Sequence, residues 1–437
     1  MKKKILIICY DYSSITSPNY FRWKSIAKYW ANKDYKIYVV SSWKPDFQRE
    51  EVLNGVQVFR VGGRLIETIR NRIIKAHQPI KLNQIQRTNN LTIKQKLLLV
   101  LKWFHDRTWK KMYWPDYACL WFFPALKKAN KLMKEQNIKQ FISVSIPFTG
   151  HLVGNCLKRR YPNTNWIVDI SDPFCFLKSM PTNNHLFYSK LNEIVEKRIF
   201  RTAQAISVLT KSTKEKYSEL FPESTNKIFI NPNLLSYIKN PETKVPLFIK
   251  GKKIRLIFVG MLNKKIRSPD DLLRIFQMIL ETRISDKMEL HFFGGVENTL
   301  DQFSPYNHLI NKCIFLHGIV GREKAIQAMH SADILVNIGN KNPYQEPSKV
   351  IEYASTGKPI INIMTIENDS SLLLLQKYPA VINILSRKVK KNSVQIADLV
   401  KFIEKPPLIE ADFLKKWLAP FKIETIAKNY EFMLKNR

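Results

Sequence analysis

The run Pro347-Ser348-Lys349-Val350-Ile351-Glu352-Tyr353-Ala354-Ser355-Thr356-Gly357-Lys358-Pro359-Ile360-Ile361 reads as a loop, a helix opened by Pro347 and Ser348, a stop at Gly357, and a buried strand starting at Pro359. Helix followed by apolar strand, repeated along a chain, builds a parallel sheet covered by helices. The helix start, where Ser348 and Lys349 stand, offers unpaired N–H groups and the positive end of the dipole, which suits a phosphate. Glu352 lies one turn further in, where a carboxylate can accept both vicinal hydroxyls of a ribose. An amphipathic helix with a solvated Glu352 accounts equally well for these residues alone.

Working outward, the same alternation continues in both directions. Upstream and downstream of this run, strand-like stretches fall at 253–259, 289–293, 314–316, 334–336, 359–363 and 380–384, with helical patterns at 270–280, 323–330 and 349–355. A polar, proline-bearing stretch, YIKNPETKVP at 237–246, separates this series from an earlier one at 4–9, 36–41, 56–61, 140–145, 166–169, 205–209 and 227–231. A chain of 437 residues exceeds one ordinary core. The pattern predicts two doubly wound α/β domains, 1–240 and 241–412, facing a central cleft. A C-terminal helical segment, 413–437, is expected to pack back on the first domain. In such sheets ligands bind beyond the carboxyl ends of the strands.

Three strand ends in the second series carry glycine. Gly260 closes Phe258-Val259 and lets a backbone approach a ligand closely, with Lys265 and Arg267 a few residues on to neutralise a diphosphate. Phe293-Gly294-Gly295 makes room in the same way, and His317-Gly318-Ile319-Val320 ends a third strand. In the first series Asp172 sits in an Asp-Pro turn and His151 at a helix start. These are the titratable residues there best placed to face a ligand, Asp172 to orient or deprotonate a hydroxyl. Capping and packing are the alternative roles of the two.

PSKVIEYASTGKPII resembles the donor-site signature of the family 4 type of retaining glycosyltransferases, which have the GT-B fold, and other segments match in order. Ser13–Arg22 resembles the family's first flexible loop. SIPFTGHLVG at 145–154 and WIVDISDPF at 166–174 resemble a bacterial surface-polysaccharide subgroup, VEKRIFRTAQAISVLTKSTKEKY at 195–217 the end of the first domain, and FINPNLL at 229–235 the interdomain turn. The likeness leaves out 64–135. It implies a nucleotide-diphosphate sugar as donor, transfer with retention, and no cofactor or metal. It also implies a ribose-binding Glu352, a base-contacting backbone at Gly318 and Ile319, and a departing diphosphate that takes the acceptor proton. The sequence departs from the pattern in the first loop, which lacks the family's usual glycine pair, and at three residues. Tyr344 stands eight before Glu352, where the family has a second Glu, and Met261 and Ile266 stand where it has its diphosphate-binding Arg and Lys. Lys265 and Arg267 are the substitutes.

Lys and Arg total 71 against 36 acids, a formal charge of +35, which points to polyanions or anionic membranes. Residues 1–240 hold 41 basic and 16 acidic side chains, and 64–111 hold 12 basic ones beside Trp103, Phe104 and Trp109. That basic aromatic insert, about 64–135, suits an anionic membrane surface, and a helical hairpin whose aromatic side is core is the alternative. The expected partners are therefore a nucleotide sugar, a lipid-linked or saccharide acceptor, and the inner face of the cell membrane, with the enzyme cytoplasmic and peripheral. No zinc-finger or RRM-type signature supports nucleic acid, which remains the non-enzymatic alternative. A nucleotide-sugar epimerase of the same fold is the enzymatic one. Five scattered cysteines without CxxC spacing suggest neither disulfide framework nor zinc site. No apolar run approaches the ~20 residues of a membrane span.

Overall fold

The computed structural model describes residues 2–12, 18–63, 112–235, 247–248, 251 and 253–435. Ser13–Ser17 of the first loop and residues 64–111 of the basic insert, whose membrane role was expected over about 64–135, lie outside these residues. The chain divides into two compact units, Met1–Leu234 with Ile423–Arg437, and Leu235–Lys422.

Unit 1 is built on an eight-stranded sheet of order β3-β4-β2-β1-β5-β6-β7-β8. Its strands are β1 (Lys3–Ile8), β2 (Tyr35–Ser42), β3 (Glu50–Leu53), β4 (Val56–Val61), β5 (Gln140–Val144), β6 (Asn165–Ile170), β7 (Ala205–Val208) and β8 (Ile228–Ile230). All neighbours run parallel except β3 and β4, a hairpin turned by Asn54 and Gly55, both at positive φ. An Asn-Gly pair is the turn that matches strand twist. Both faces are covered, and the near-continuous apolar strands follow from that. In β1, Leu6 and Ile8 enter one core while Ile5 and Ile7 enter the other.

The first core is closed by α2 (Phe122–Glu135), α3 (Thr149–Arg160), α4 (His185–Thr202) and α5 (Lys211–Leu220). The second is closed by α1 (Pro18–Ala31) and by α12 (Ile423–Lys435), which contributes Ile426, Ala427, Tyr430, Met433 and Leu434. The C-terminal segment is therefore not one helix. Pro420 sits in a short 3₁₀ turn, Ala419–Phe421, because proline cannot continue an α-helical ladder. On its near side α11 (Ala411–Leu418) lays Leu414 and Trp417 on unit 2.

Unit 2 has six parallel strands: β9 (Ile254–Val259), β10 (Met288–Phe293), β11 (Ile314–Leu316), β12 (Ile334–Ile338), β13 (Ile360–Met364) and β14 (Val381–Leu385). Their order is β11-β10-β9-β12-β13-β14. Counted within the unit this is 3-2-1-4-5-6, the doubly wound arrangement, and the winding reverses between β9 and β12. Helices α6 (Asp270–Leu280), α7 (Arg322–Ser331), α8 (Lys349–Ser355), α9 (Ser370–Leu375) and α10 (Val394–Glu404) cover its faces with α11. Among the described residues no helix is long and apolar enough to cross a membrane.

Candidate functional site

The reversal point of unit 2 is where a crevice must open, because chain connections leave β9 and β12 in opposite directions. The two strands pair only through Leu256 with Ile334 and Ile257 with Leu335, then diverge. Divergence strands the backbone of Val259, whose N–H and C=O have lost their ladder neighbour on that side. Tyr353 of α8 supplies both partners: its hydroxyl accepts from Val259 N at 2.7 Å and donates to Val259 O at 2.9 Å. The fully buried Tyr353 ring thus floors the crevice, and it fixes the helix that carries Glu352.

Glu352 is buried and doubly paired. Lys349 Nζ lies 2.5 Å from Oε2 and Arg322 Nη2, from the first residue of α7, 3.3 Å from Oε1. The helix spans Lys349–Ser355, as its pattern predicts, and ends before Gly357, whose φ of +70° stops it. Ser348 stands exposed at the helix entrance, and its hydroxyl makes no capping bond.

The three glycine strand ends lie side by side in sheet order. Gly260 N donates to Phe293 O at 2.9 Å, and Gly294 N to Gly318 O at 2.8 Å. Gly294 has φ +141°, and a Cβ there would stand 1.8 Å from Gly260 O. Gly318, at φ +67°, faces open space, with Ile319 exposed beside it. Backbone rather than side chain forms this rim.

After Gly260 the chain makes a tight turn. Asn263 and Arg267 exchange backbone bonds of 2.9 and 2.8 Å, and Lys264 and Lys265 are left at the exposed tip. Lys264 pairs with Asp301 at 2.6 Å. Of the two expected diphosphate ligands, only Arg267 is drawn to the reversal point, where Nη2 donates to Asn340 Oδ1 at 2.9 Å. That bond joins the loop after β9 to the loop after β12. Burial lowers the guanidinium's pKa, and Tyr353 and Asp369 counter it.

Asn340 is one of several residues that spacing alone did not single out. Its Nδ2 donates to Gln345 O at 2.8 Å, which also accepts from Ser370 Oγ at 2.8 Å. Asn342 Oδ1 accepts from the N–H groups of Tyr344 and Gln345. The only sequence signal was GNKNP at 339–343, a turn-type composition. Asp369 is fully buried, with Oδ1 accepting from Ser371 N at 2.8 Å, and burial raises its pKa. Gly339 makes the space for it, since a Cβ there would meet Asp369 Oδ2 at 2.0 Å.

In unit 1 the first turn of α1 and the loops after β5 and β6 are tied together. Asn19 Nδ2 donates to Ser145 O at 2.6 Å, and Ser171 Oγ donates to Asn19 Oδ1 at 2.8 Å. Asp172 follows, half-buried, at the carboxyl edge of the sheet. His151 does not join it, which corrects the expectation of a ligand-facing histidine. Its side chain has no exposed surface, Nδ1 is hydrogen-bonded to Ser143 Oγ at 2.8 Å, and Phe148 packs edge-on against the ring. Burial pushes its pKa down to about 3. It is a neutral core residue, pointed inward by helix register. Among the described residues no three His, Cys, Asp or Glu side chains cluster to hold a metal.

No protein-family profile matches the chain, and no curated protein matches it in sequence. Solved structures do. A sucrose-phosphate synthase from Thermosynechococcus elongatus superposes with TM-score 0.63 at 12% identity, covering 99% of this chain and 98% of that one. A UDP-forming α,α-trehalose-phosphate synthase from Burkholderia xenovorans gives 0.63 at 9%, covering 100% and 99%. A putative UDP-N-acetylglucosamine 2-epimerase from Listeria monocytogenes gives 0.53 at 11%, covering 100% and 96%. At these identities the likeness is one of fold, and the fold is GT-B.

Proposed function

We propose that this chain is a glycosyltransferase of the family 4 type that moves a sugar, with retention, from a nucleotide-diphosphate sugar to a lipid-linked or polysaccharide acceptor. Its place would be cell-surface polysaccharide synthesis, at the inner face of the cell membrane. The observation that carries this reading is the Arg267–Asn340 bond across the reversal point of unit 2. It sets a half-buried cation at the place where a doubly wound sheet receives the phosphates of a nucleotide, on the same floor as Glu352.

In this reading Gly260, Gly294, Gly318 and Ile319 offer backbone to the nucleotide. Arg267 meets the diphosphate, with Lys265 at the exposed tip of the same turn, and Ser348 and Lys349 stand at the entrance of α8. Glu352 accepts the ribose hydroxyls, exchanging one or both of its cations for them. The glycosidic bond to the diphosphate breaks as the acceptor oxygen bonds the anomeric carbon, and the acceptor proton passes to the leaving phosphate oxygen. The protein's part is positioning and stabilisation of the charge that develops on that oxygen. Asp172 orients the acceptor hydroxyl on unit 1. No metal is needed for these steps, since cationic side chains meet the diphosphate.

Thermal-shift screening against UDP-, GDP-, ADP- and CMP-sugars tests the site and the base together. One nucleotide series should stabilise the protein, and Glu352→Ala and Arg267→Ala should each abolish the shift. Absence of any shift, with no sugar transferred into a lipid extract, would sink the reading. The similarity to an epimerase supports a second reading, and product analysis separates them: an epimerase modifies the sugar with no acceptor present.

A further inference from the structure

Helix α4 presents much of its apolar surface outward. Its buried positions include Asn192 and Glu196, whereas Leu186 is 97% exposed, Phe187 76%, Leu191 41% and Ile194 65%. Residues 187, 191 and 194 recur at the helical spacing of one stripe. Met112, 71% exposed, extends the patch, since Tyr188 Oη donates to its carbonyl at 3.1 Å. Trp114 Nε1 ties the same segment to Asn192 Oδ1 at 3.1 Å. A soluble surface rarely gathers this many large apolar side chains without a partner.

Charge identifies the partner. Helices α2, α3 and α4 pack in sequence as one layer on the sheet, and together they hold 11 basic residues against three acidic ones, of which Glu196 is buried. Lys127, Arg159, Arg160, Lys190 and Arg198 have no ion-pair partner among the described residues. A second copy of the same face would set like charges against each other. A nucleic-acid backbone would find no use for Leu186, Leu191 and Ile194, because bases stack on aromatic rings. An apolar stripe inside a cationic field matches an anionic bilayer, whose headgroups take the cations while the stripe enters the acyl boundary.

We propose that the layer α2-α3-α4 docks on an anionic lipid surface through Met112, Leu186, Phe187, Leu191 and Ile194. Helix α4 begins at the carboxyl edge of the unit 1 sheet, the edge that also carries the Asp172 turn. Docking therefore presents that edge to the membrane, and the acceptor is an amphiphile whose tail stays in the bilayer. This last step rests on reading unit 1 as the acceptor side, whereas the docking itself does not.

The test is co-sedimentation of the full chain with vesicles of phosphatidylcholine alone or mixed equally with phosphatidylglycerol. Binding should require the anionic lipid and weaken with salt. Phe187→Ser with Leu191→Ser and Ile194→Ser should weaken it at least about tenfold, as loss of the buried apolar area demands. Lys190→Glu with Arg198→Glu should weaken it by a similar factor. Nucleotide-sugar thermal shifts, read on the same variants, should be unchanged because the donor residues lie in unit 2, so a failed donor screen and a failed docking test are told apart. Equal vesicle binding by the variants, or none by the unaltered chain, overturns the proposal. So does a dimer that the serine variant dissociates, or equally tight capture of single-stranded nucleic acid through the same residues.

Discussion

The carbonyl oxygen of Gly260 occupies the space where a side chain on Gly294 would begin, 1.8 Å from the ideal Cβ position. Two adjacent strand ends are thereby held at backbone contact, and the positive φ of Gly294 adds a second reason for glycine. Gly294→Ala should destabilise unit 2 by at least roughly 3 kcal/mol, since the obstacle is backbone and cannot swing aside. Gly318→Ala meets nothing within 4 Å and bears only the cost of its left-handed conformation, about 1 kcal/mol. Urea unfolding of the two variants measures the difference, and equal midpoints would show that the rim is not close-packed.

Tyr353→Phe removes a single oxygen but leaves both polar groups of Val259 without their side-chain partner. Two buried backbone groups left unsatisfied cost roughly 2–4 kcal/mol together. The effect should reach binding too, because the floor under Arg267 and Glu352 loosens. A lower unfolding midpoint together with a smaller nucleotide-sugar thermal shift is the expected pair of results. A shift of unchanged size would confine Tyr353 to a structural role.

The strands and the glycine rim were legible in the sequence because apolar runs, period and terminal glycines are local signals. All thirteen strand-like stretches correspond to strands of the structure, and the one omitted, β3, was announced by Asn54-Gly55 and concealed by its charged residues Glu50 and Glu51. The ion pair of Glu352 with Arg322, 30 residues away, was not legible, nor was the bond between Arg267 and Asn340. Such pairs depend on which loops the topology brings together, and no periodicity records that. His151 shows the converse: residue type suggested chemistry, while its helix face was decided by packing against Ser143 and Phe148.

Tyr430 holds the C-terminal helix to unit 1 through groups that cannot be reached by water. Its hydroxyl donates to Asp169 Oδ1 at 2.5 Å, receives a bond from Arg22 Nη2 at 3.0 Å, and lies 3.2 Å from Ser207 Oγ. Asp169 keeps Trp23 and Ser207 as donors when that hydroxyl is removed. Tyr430→Phe should therefore cost roughly 1–3 kcal/mol rather than unfold the unit. Limited proteolysis should then release a fragment ending near α12 faster than from the unaltered chain. The nucleotide-sugar thermal shift should persist, since no residue of this cluster belongs to unit 2.

Glu196 makes the stability of unit 1 depend on pH in the direction opposite to most carboxylates. Burial pushes its pKa up to about 7, and the bonds it accepts from Tyr217 Oη at 2.6 Å and Cys175 N at 2.9 Å only partly counter that. A carboxyl whose folded pKa is raised contributes stability that is full below its unfolded pKa, near 4.5, and lost as pH rises through about 7. The loss between pH 5 and pH 8 should be about 2–3 kcal/mol. His151 slopes the other way: held neutral with a pKa of about 3, it contributes above pH 6.5 and loses that as pH falls. The two are separable by variant. Glu196→Gln, with no charge to form, should remove the decline toward pH 7 from a plot of unfolding free energy against pH, so that only the loss below about pH 6.5 set by His151 remains. If the decline toward pH 7 persists in that variant, the carboxylate is ionised throughout and its burial is compensated by Tyr217 and Cys175 alone.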